Sequence, residues 1–303
     1  MGKVKGGFFA ELKKNGVEFY PGCGIKERTT FKIGGTVYCR IFAKRLDELS
    51  AAVKTAKKWG KKIFVMGSLS NVLITDKKIN KVFIELGGEF YDIRKTGPSS
   101  VYAGAGAKIG SLTAFVIKNG LAGIEFMAGI PGTMGGAVYM NAGAYGKGIG
   151  AYIKKIHFMD RAGQCGIIEN PEKAFSYRHS IFQENGYIVT GAELGLKKGV
   201  AAEIRKEIML LIKTRHAKHP WKAFCAGSFF KNSPECPAGS LIERAGLKGK
   251  KVGDAMVSLK HANFLINTGN AGYGDVVKLA KNVKQTVYKK FGVKLEEEVR
   301  YIK

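Results

Sequence analysis

Residues 120–147 read GLAGIEFMAGIPGTMGGAVYMNAGAYGK. The run is dense in Gly and Ala, holds one Pro and carries almost no charge. A glycine-rich run lets backbone N–H groups come close to a ligand and adopt positive φ without a Cβ penalty. Successive N–H groups in such turns form concavities that hold phosphate oxygens. A solvent linker would be polar and rich in serine, whereas this run carries Phe126, Met127, Ile130 and Met140. It is therefore expected to be a buried loop that a ligand fills. The competing reading is a tight Ala/Gly-packed turn inside a core.

Working outward on the N-terminal side, residues 103–120 lead into a helix with Leu112, Phe115, Val116 and Ile117 inward and Gly120 at its end. Residues 80–103 alternate as two strands around a turn at 96–99. The run KKIFVMGSLSNVLITD (61–76) predicts strand, loop, strand. Its loop, Gly67-Ser68-Leu69-Ser70-Asn71, offers backbone N–H groups and two hydroxyls after a buried strand, which suits a diphosphate. An ordinary βturnβ is the competing reading. Residues 45–59 predict a helix with Leu46, Leu49, Val53 and Ala56 on one face and Gly60 as the stop. RTTFKIGGTVYCRIFA (28–43) predicts strand, turn, strand, with Gly34 and Gly35 in the turn.

On the C-terminal side, 151–169 predict a strand pair turning at Arg161-Ala162-Gly163. NPEKAFSYRHSIF (170–182) opens with a helix-start signal, Asn170-Pro171, and leads through Tyr177-Arg178-His179-Ser180 to a strand at 187–196. Residues 200–215 predict a helix with Ile204, Ile208 and Leu211 or Ile212 inward. The main domain boundary is expected at its start, giving domains 1–198 and 199–303. A last helix opens at Asp275, with Val276, Leu279, Val283, Val287 and Phe291 on one face and Gly292 at its end. VKLEEEVRYI (293–302) closes the chain as a strand.

A length of 303 residues suits two or three domains, and 45% hydrophobic with 24% charged residues is ordinary for a globular protein. No apolar run approaches the roughly 20 residues of a membrane span, so no membrane partner is expected. The start, MGKVKGGFFAELKKNG, has no apolar h-region or cleavage site. Five scattered cysteines form no CxxC pair, which argues against a zinc site or disulfide framework and fits a reducing cytoplasm. The histidines at 179, 216, 219 and 261 have no metal-binding spacing, and no metal is expected. Fifty Lys and Arg against 24 Asp and Glu give +26, which asks for anionic partners. The basic residues are spread along the chain without interleaved aromatics. A lysine-rich solvated surface that attracts phosphorylated ligands is expected, and no specific nucleic acid.

Five motifs carry a resemblance across about residues 28–302. They are TTFKIGG (29–35), GSLSN (67–71), GIEFMAGIPGTMGGAVYMNAGAYG (123–146), the Tyr177-Arg178-x-Ser180-x-Phe182 element, and AGSFFKNS (226–233) with the long run 238–267 and the ending LEEEVR. In this order they resemble the UDP-N-acetylenolpyruvoylglucosamine reductases (MurB). The short length resembles the compact type II subgroup. Three departures stand out: Leu69 where the family usually has Gly, Ser233 where it has Pro, with Pro234 one residue late, and Asp254 where a second Gly is usual.

The resemblance implies an α+β protein. A two-part FAD-binding domain of the vanillyl-alcohol-oxidase/PCMH type (subdomains about 1–86 and 87–198) would precede a C-terminal α+β substrate domain. It implies reduction of UDP-N-acetylglucosamine-enolpyruvate to UDP-N-acetylmuramate, with non-covalent FAD and with NADPH as hydride donor. Residues 67–71 and Gly129, Ile130, Pro131, Gly132, Thr133, Gly135, Gly136, Ala137, Asn141, Ala142 and Gly143 would hold FAD. Arg178, Ser228 and Glu298 would be catalytic. Arg178 would hold a carboxylate, Ser228 would donate a proton, and Glu298 would assist protonation. Period two places Glu296 and Glu298 on one strand face and leaves both open; the resemblance selects Glu298. The bland alternatives are a surface ion pair for Arg178, a turn serine for Ser228 and a solvated strand end for Glu298. Tyr177, Lys218, Lys231, Asn232 and Arg300 are candidates for the UDP-sugar enolpyruvyl substrate. A monomer is expected. The rival functions are another FAD-dependent oxidase or dehydrogenase of the same superfamily and a basic nucleic-acid-binding protein.

Overall fold

Leu49, Val53 and Ala56 recur at helical spacing. In the computed structural model, which describes residues 7–232 and 236–303, they line the buried side of a helix, Leu46–Lys58. Asp47 and Glu48 stand in its first turn and Lys57 and Lys58 in its last, each set complementing the helix dipole. Gly60, at φ 61°, follows the end. Leu46, expected on the inner face, is 41% exposed. It is the first helical residue, and helical side chains point back toward the N-terminus, so it has no turn of its own helix to lie against.

This helix packs on a four-stranded sheet ordered Glu18–Pro21, Val37–Ala43, Ile79–Leu86, Lys62–Met66. Its first pair is antiparallel and its last parallel. A second sheet is antiparallel throughout, ordered Cys165–Glu169, Ile153–Met159, Ile188–Gly195, Ser100–Gly104, Ile93–Lys95. One continuous core runs through both, from Phe8 to Leu196, and includes Ile41, Ile84, Val101, Ile156 and Leu194. Phe126, Met127, Met134 and Val138 of the glycine-rich stretch belong to the same core.

The compact units divide differently from the expected cut after residue 198. One holds the described residues up to Cys23 with Val37–Gly67 and Asn80–Ile212; the other holds Gly24–Thr36, Ser68–Ile79 and Lys213–Lys303. Packing explains the crossing segments. Phe31, Ile33 and Leu73 are buried with the C-terminal apolar residues, and Val72–Ile74 pairs in parallel with Arg300–Ile302. The helix Ala201–Lys218 begins with the first unit because Ile204 and Ile208 pack on Ala128.

The second unit has an antiparallel sheet ordered Phe224–Cys225, Leu265–Asn267, Ala255–Val257, Lys251–Val252. The helix Tyr273–Phe291 covers it, with Val276, Leu279, Val283 and Val287 buried. The Asp275 carboxylate accepts the Gly272 N–H at 2.9 Å, and Gly292, at φ 70°, caps the far end.

Three local expectations change. Residues 29–36 form no strand. Phe31 and Ile33 point into the second core, while the Thr29 hydroxyl meets the Lys26 and Ile33 carbonyls. After Asn170, which takes φ 46°, only a three-residue 3-10 turn, Glu172–Ala174, forms in place of an α-helix. The closing strand shrinks to Arg300–Ile302 with one isolated bridge, Phe230 to Glu297. The substitutions at Ser233 and Pro234 lie outside the described residues.

Asn263, 2% exposed, acts as a surrogate strand. Its Oδ1 accepts the Phe230 N–H at 2.9 Å and its Nδ2 donates to the Phe230 carbonyl at 2.8 Å. Its own carbonyl accepts the Phe229 N–H at 2.7 Å. Asn263→Leu would orphan two buried backbone groups at about 1–3 kcal/mol each. Urea unfolding is expected to show a loss of about 2–6 kcal/mol.

Candidate active site

The glycine-rich stretch is not wholly loop. Residues Met134–Met140 form a short helix, with Thr133 at the N-cap accepting the Gly136 N–H at 3.4 Å. Met134, Ala137 and Val138 anchor it in the core, while Ile130 and Ala142 pack against that core from its edge. The glycines sort into two kinds. A Cβ on Gly135 would sit 2.9 Å from the Ala105 Cβ, and one on Gly143 would sit 2.0 Å from the Lys147 carbonyl oxygen. These two serve close packing, as the competing reading expected. A Cβ on Gly132 would meet nothing within 4 Å, and one on Gly136 only the Thr133 Oγ1 at 3.6 Å. Neither has a left-handed φ, so neither close packing nor backbone conformation requires glycine there. They leave backbone open to a ligand, beside exposed Gly129 and Pro131. That opening fits the diphosphate of a dinucleotide.

Gly67, which leads into the 67–71 loop, stands against this stretch. A Cβ there would lie 2.7 Å from the Thr133 Oγ1. Asn141 caps the short helix in left-handed conformation, at φ 43°. Its side-chain amide is engaged at both ends, by the Ser176 carbonyl at 2.8 Å and the Gly150 N–H at 3.0 Å.

Arg178 occupies the two-residue turn between Phe175–Ser176 and His179–Ser180. Its φ is 57°, a left-handed conformation that a non-glycine residue adopts only under constraint. Its Nη2 donates to the Gly143 carbonyl at 3.1 Å, and its guanidinium lies 5.1 Å from the ring centre of Tyr177, which is exposed. The first unit therefore brings the glycine-rich stretch and the Tyr177-Arg178 turn together.

In the second unit, Ser228 follows Gly227, which takes φ 77°. Residues 229–231 pair irregularly with the three glutamates. The Lys231 N–H donates to the Glu296 carbonyl at 2.8 Å, Phe230 bridges Glu297, and the Glu298 N–H donates to the Phe229 carbonyl at 2.8 Å. Ser228 is thus one residue from the group that takes the Glu298 amide. The glutamates separate by partner. Glu296 is 73% exposed and meets Lys231 at 3.2 Å, while Glu297 takes Lys284 at 2.9 Å. Glu297 also pushes up the Tyr301 hydroxyl, which burial has already raised. Glu298 is half-buried.

The 68–71 loop is tied to the same strand. Asn71 Nδ2 donates to the Glu298 carbonyl at 3.3 Å, and the Arg300 N–H donates to the Asn71 carbonyl at 3.1 Å. Leu69 takes φ 49°, the conformation that a glycine at this position adopts freely, with its side chain 4% exposed.

The remaining candidates are dispersed. Lys218 is exposed at the end of its helix, and Asn232 Oδ1 accepts the Ala238 N–H at 3.0 Å. Next to Lys218, His219 packs on Phe264 and His261 at ring distances of 5.0 and 5.3 Å. Burial, then the neighbouring His261, push its imidazole down to about 4. Residue spacing did not reveal His219, Asn263 or Gln183, whose roles depend on burial and hydrogen bonds. The one usable signal was the adjacency of Asn263 and Gln183 to the motifs.

Residues 38–166 match the family described as "FAD binding domain", and 219–302 match "UDP-N-acetylenolpyruvoylglucosamine reductase, C-terminal domain". A UDP-N-acetylenolpyruvoylglucosamine reductase from Halalkalibacterium halodurans is 38% identical over 278 residues, 92% of each chain. The crystal structure of UDP-N-acetylenolpyruvylglucosamine reductase (MurB) from Thermus caldophilus is 32% identical, with a TM-score of 0.81 over 95% of this chain and 99% of that one. A berberine bridge enzyme, 13% identical with a TM-score of 0.50 over 96% of this chain and 60% of that one, shares the fold alone. Fold and matched domains together define an α+β flavoprotein oxidoreductase with a PCMH-type FAD-binding domain. The chain belongs to the UDP-N-acetylenolpyruvoylglucosamine reductase family.

Two outcomes follow from this geometry. Leu69→Gly relieves about 1–2 kcal/mol of left-handed strain but removes a buried leucine side chain at about 2–5 kcal/mol. Packing outweighs strain, so urea denaturation should find the variant less stable. His219 titrates lower folded than unfolded, so between pH 6.5 and about 4 the unfolded chain binds the extra proton and stability falls as pH falls. His219→Gln should flatten that part of a stability–pH curve.

Proposed function

We propose that the chain reduces the enolpyruvyl double bond of UDP-N-acetylglucosamine-enolpyruvate to give UDP-N-acetylmuramate, a step of peptidoglycan precursor synthesis, with NADPH as hydride source. The observation that supports the residue assignment is the pairing of 229–231 with 296–298, in which the Glu298 N–H donates to the carbonyl of Phe229, the residue after Ser228. The open backbone at Gly132 and Gly136 supports the glycine-rich stretch, with the 67–71 loop, as the holder of FAD. FAD held there would supply the hydride chemistry, with NADPH as the source and the β-carbon of the enol ether as the acceptor.

That leaves the chain's own residues two tasks: to hold the substrate carboxylate as negative charge develops, and to put a proton on the α-carbon. Arg178 holds the carboxylate, since a guanidinium is always charged and matches it in two-pronged geometry. Ser228 donates the proton. Glu298, with Arg178, assists protonation of the enol. Tyr177, Lys218, Lys231, Asn232 and Arg300 contact the UDP-sugar. The net charge of +26 draws phosphorylated ligands rather than a specific nucleic acid. Among the described residues no helix is long and apolar enough to cross a membrane. We place the activity in the cytoplasm and on a monomer.

The purified protein should be yellow, and acid precipitation should release the colour into the supernatant. Flavin left in the pellet would refute non-covalent binding, and a colourless protein would refute the whole assignment. Stopped-flow absorbance separates the half-reactions. Ser228→Ala should leave anaerobic flavin reduction by NADPH intact and slow reoxidation by the enolpyruvyl substrate about 10²–10⁴-fold. Glu298→Gln should show the same split and Glu296→Gln should not. Equal slowing of both steps in Ser228→Ala would point to a structural role.

A further inference from the structure

We propose that Gln183 is a positioning residue that, with Asn141, clamps Arg178 in its left-handed conformation against the glycine-rich stretch. The inference rests on the reading of Arg178 as the carboxylate holder. The Gln183 amide nitrogen donates to the Arg178 carbonyl at 3.2 Å and to the Tyr139 carbonyl at 2.9 Å. The same nitrogen also faces the Met140 sulfur at 3.9 Å, so its two hydrogens serve three acceptors. Tyr139 lies in the last turn of the helix Met134–Met140, where carbonyls lack intrahelical donors. The hydroxyl of fully buried Ser180 adds a second donor to the same oxygen at 2.7 Å.

The other flank of the turn is held by Asn141, which joins the Ser176 carbonyl at 2.8 Å to the Gly150 N–H at 3.0 Å. Ser176 and Arg178, two residues apart across the turn, are therefore each fastened to the segment 139–150. The guanidinium contact with the Gly143 carbonyl completes the set. At φ 57° Arg178 carries about 1–2 kcal/mol of backbone strain. Positive φ at the second central residue is what a type II turn demands, at a cost in strain for a residue other than glycine, and losing it would rotate the peptide that carries the side chain. Gln183 opposes that rotation by fixing the carbonyl that would have to turn. The carboxylate-holding cation and the glycine-rich stretch then keep a constant separation, which hydride transfer to a neighbouring carbon requires.

Gln183→Met keeps the length of the side chain and removes both donors. In the flavin-loaded protein it should slow reoxidation by the enolpyruvyl UDP-sugar about 10–100-fold and weaken binding of that substrate, followed by perturbation of the flavin spectrum. Flavin affinity and reduction by NADPH should not change. Arg178→Ala and the double variant complete the cycle. If Gln183 acts through Arg178, Gln183→Met adds no further loss in the Arg178→Ala background. Losses that multiply, or a Gln183→Met protein that reoxidises normally while Arg178→Ala is slow, would overturn the proposal. Normal reoxidation in Arg178→Ala would instead overturn the reading of Arg178 itself. Should Gln183→Met fail to hold flavin, Gln183→Glu decides in the same way, because a carboxylate has the same shape and no N–H.

Discussion

The parallel pairing of Val72–Ile74 with Arg300–Ile302 is the constraint from which the second unit takes its arrangement. It joins segments more than two hundred residues apart, and closing such a long loop is costly before any contact rewards it. Burial of Leu73, Val299 and Ile302 offsets that cost. Once the register is set, Asn71 reaches both the Glu298 carbonyl and the Arg300 N–H. The irregular pairing with 229–231 then sets the Glu298 N–H on the carbonyl of Phe229, the residue after Ser228. A slip of one residue would put a different glutamate in the place of Glu298.

Six described non-glycine residues take positive φ, and three of them are proposed site residues. Leu69, Asn141 and Arg178 all take left-handed φ without being glycine. Each is held by something outside its own turn. Leu69 is held by burial and the Thr30 contact to its carbonyl, Asn141 by its two amide bonds, and Arg178 by Gln183. Such conformations persist only where the surroundings over-determine them. The surroundings here are largely polar side chains bonded to backbone groups, with Asn263 doing the same for Phe230.

The glycine-rich stretch combines two functions that composition cannot separate. Gly135 and Gly143 allow the chain to pack on itself, whereas Gly132 and Gly136 leave backbone uncovered. All four look alike as letters. Only the neighbours of an added Cβ distinguish a glycine kept for packing from one that leaves room for a ligand.

The sequence alone determined the helices with long apolar periods, because burial of a 3.6-residue stripe needs no knowledge of the partner. Leu46–Lys58, Ile109–Lys118, Ala201–Lys218 and Tyr273–Phe291 lie where periodicity and Gly stops put them. It also determined the family, through motifs spread from Thr29 to Arg300. Tertiary structure decided what depends on distant partners. Phe31, Ile33 and Leu73 join the C-terminal core although they lie near the N-terminus. The expected strand at 29–33 and the helix after Asn170 do not form, since local propensity there yields to the burial of Phe31 and to the hairpin carrying Arg178. The contacts of Glu296, Glu297, Gln183 and Asn263 rest on ion pairs and hydrogen bonds between separated stretches of chain. A pattern of residue types has no access to those, because it records neighbours in sequence and not in space.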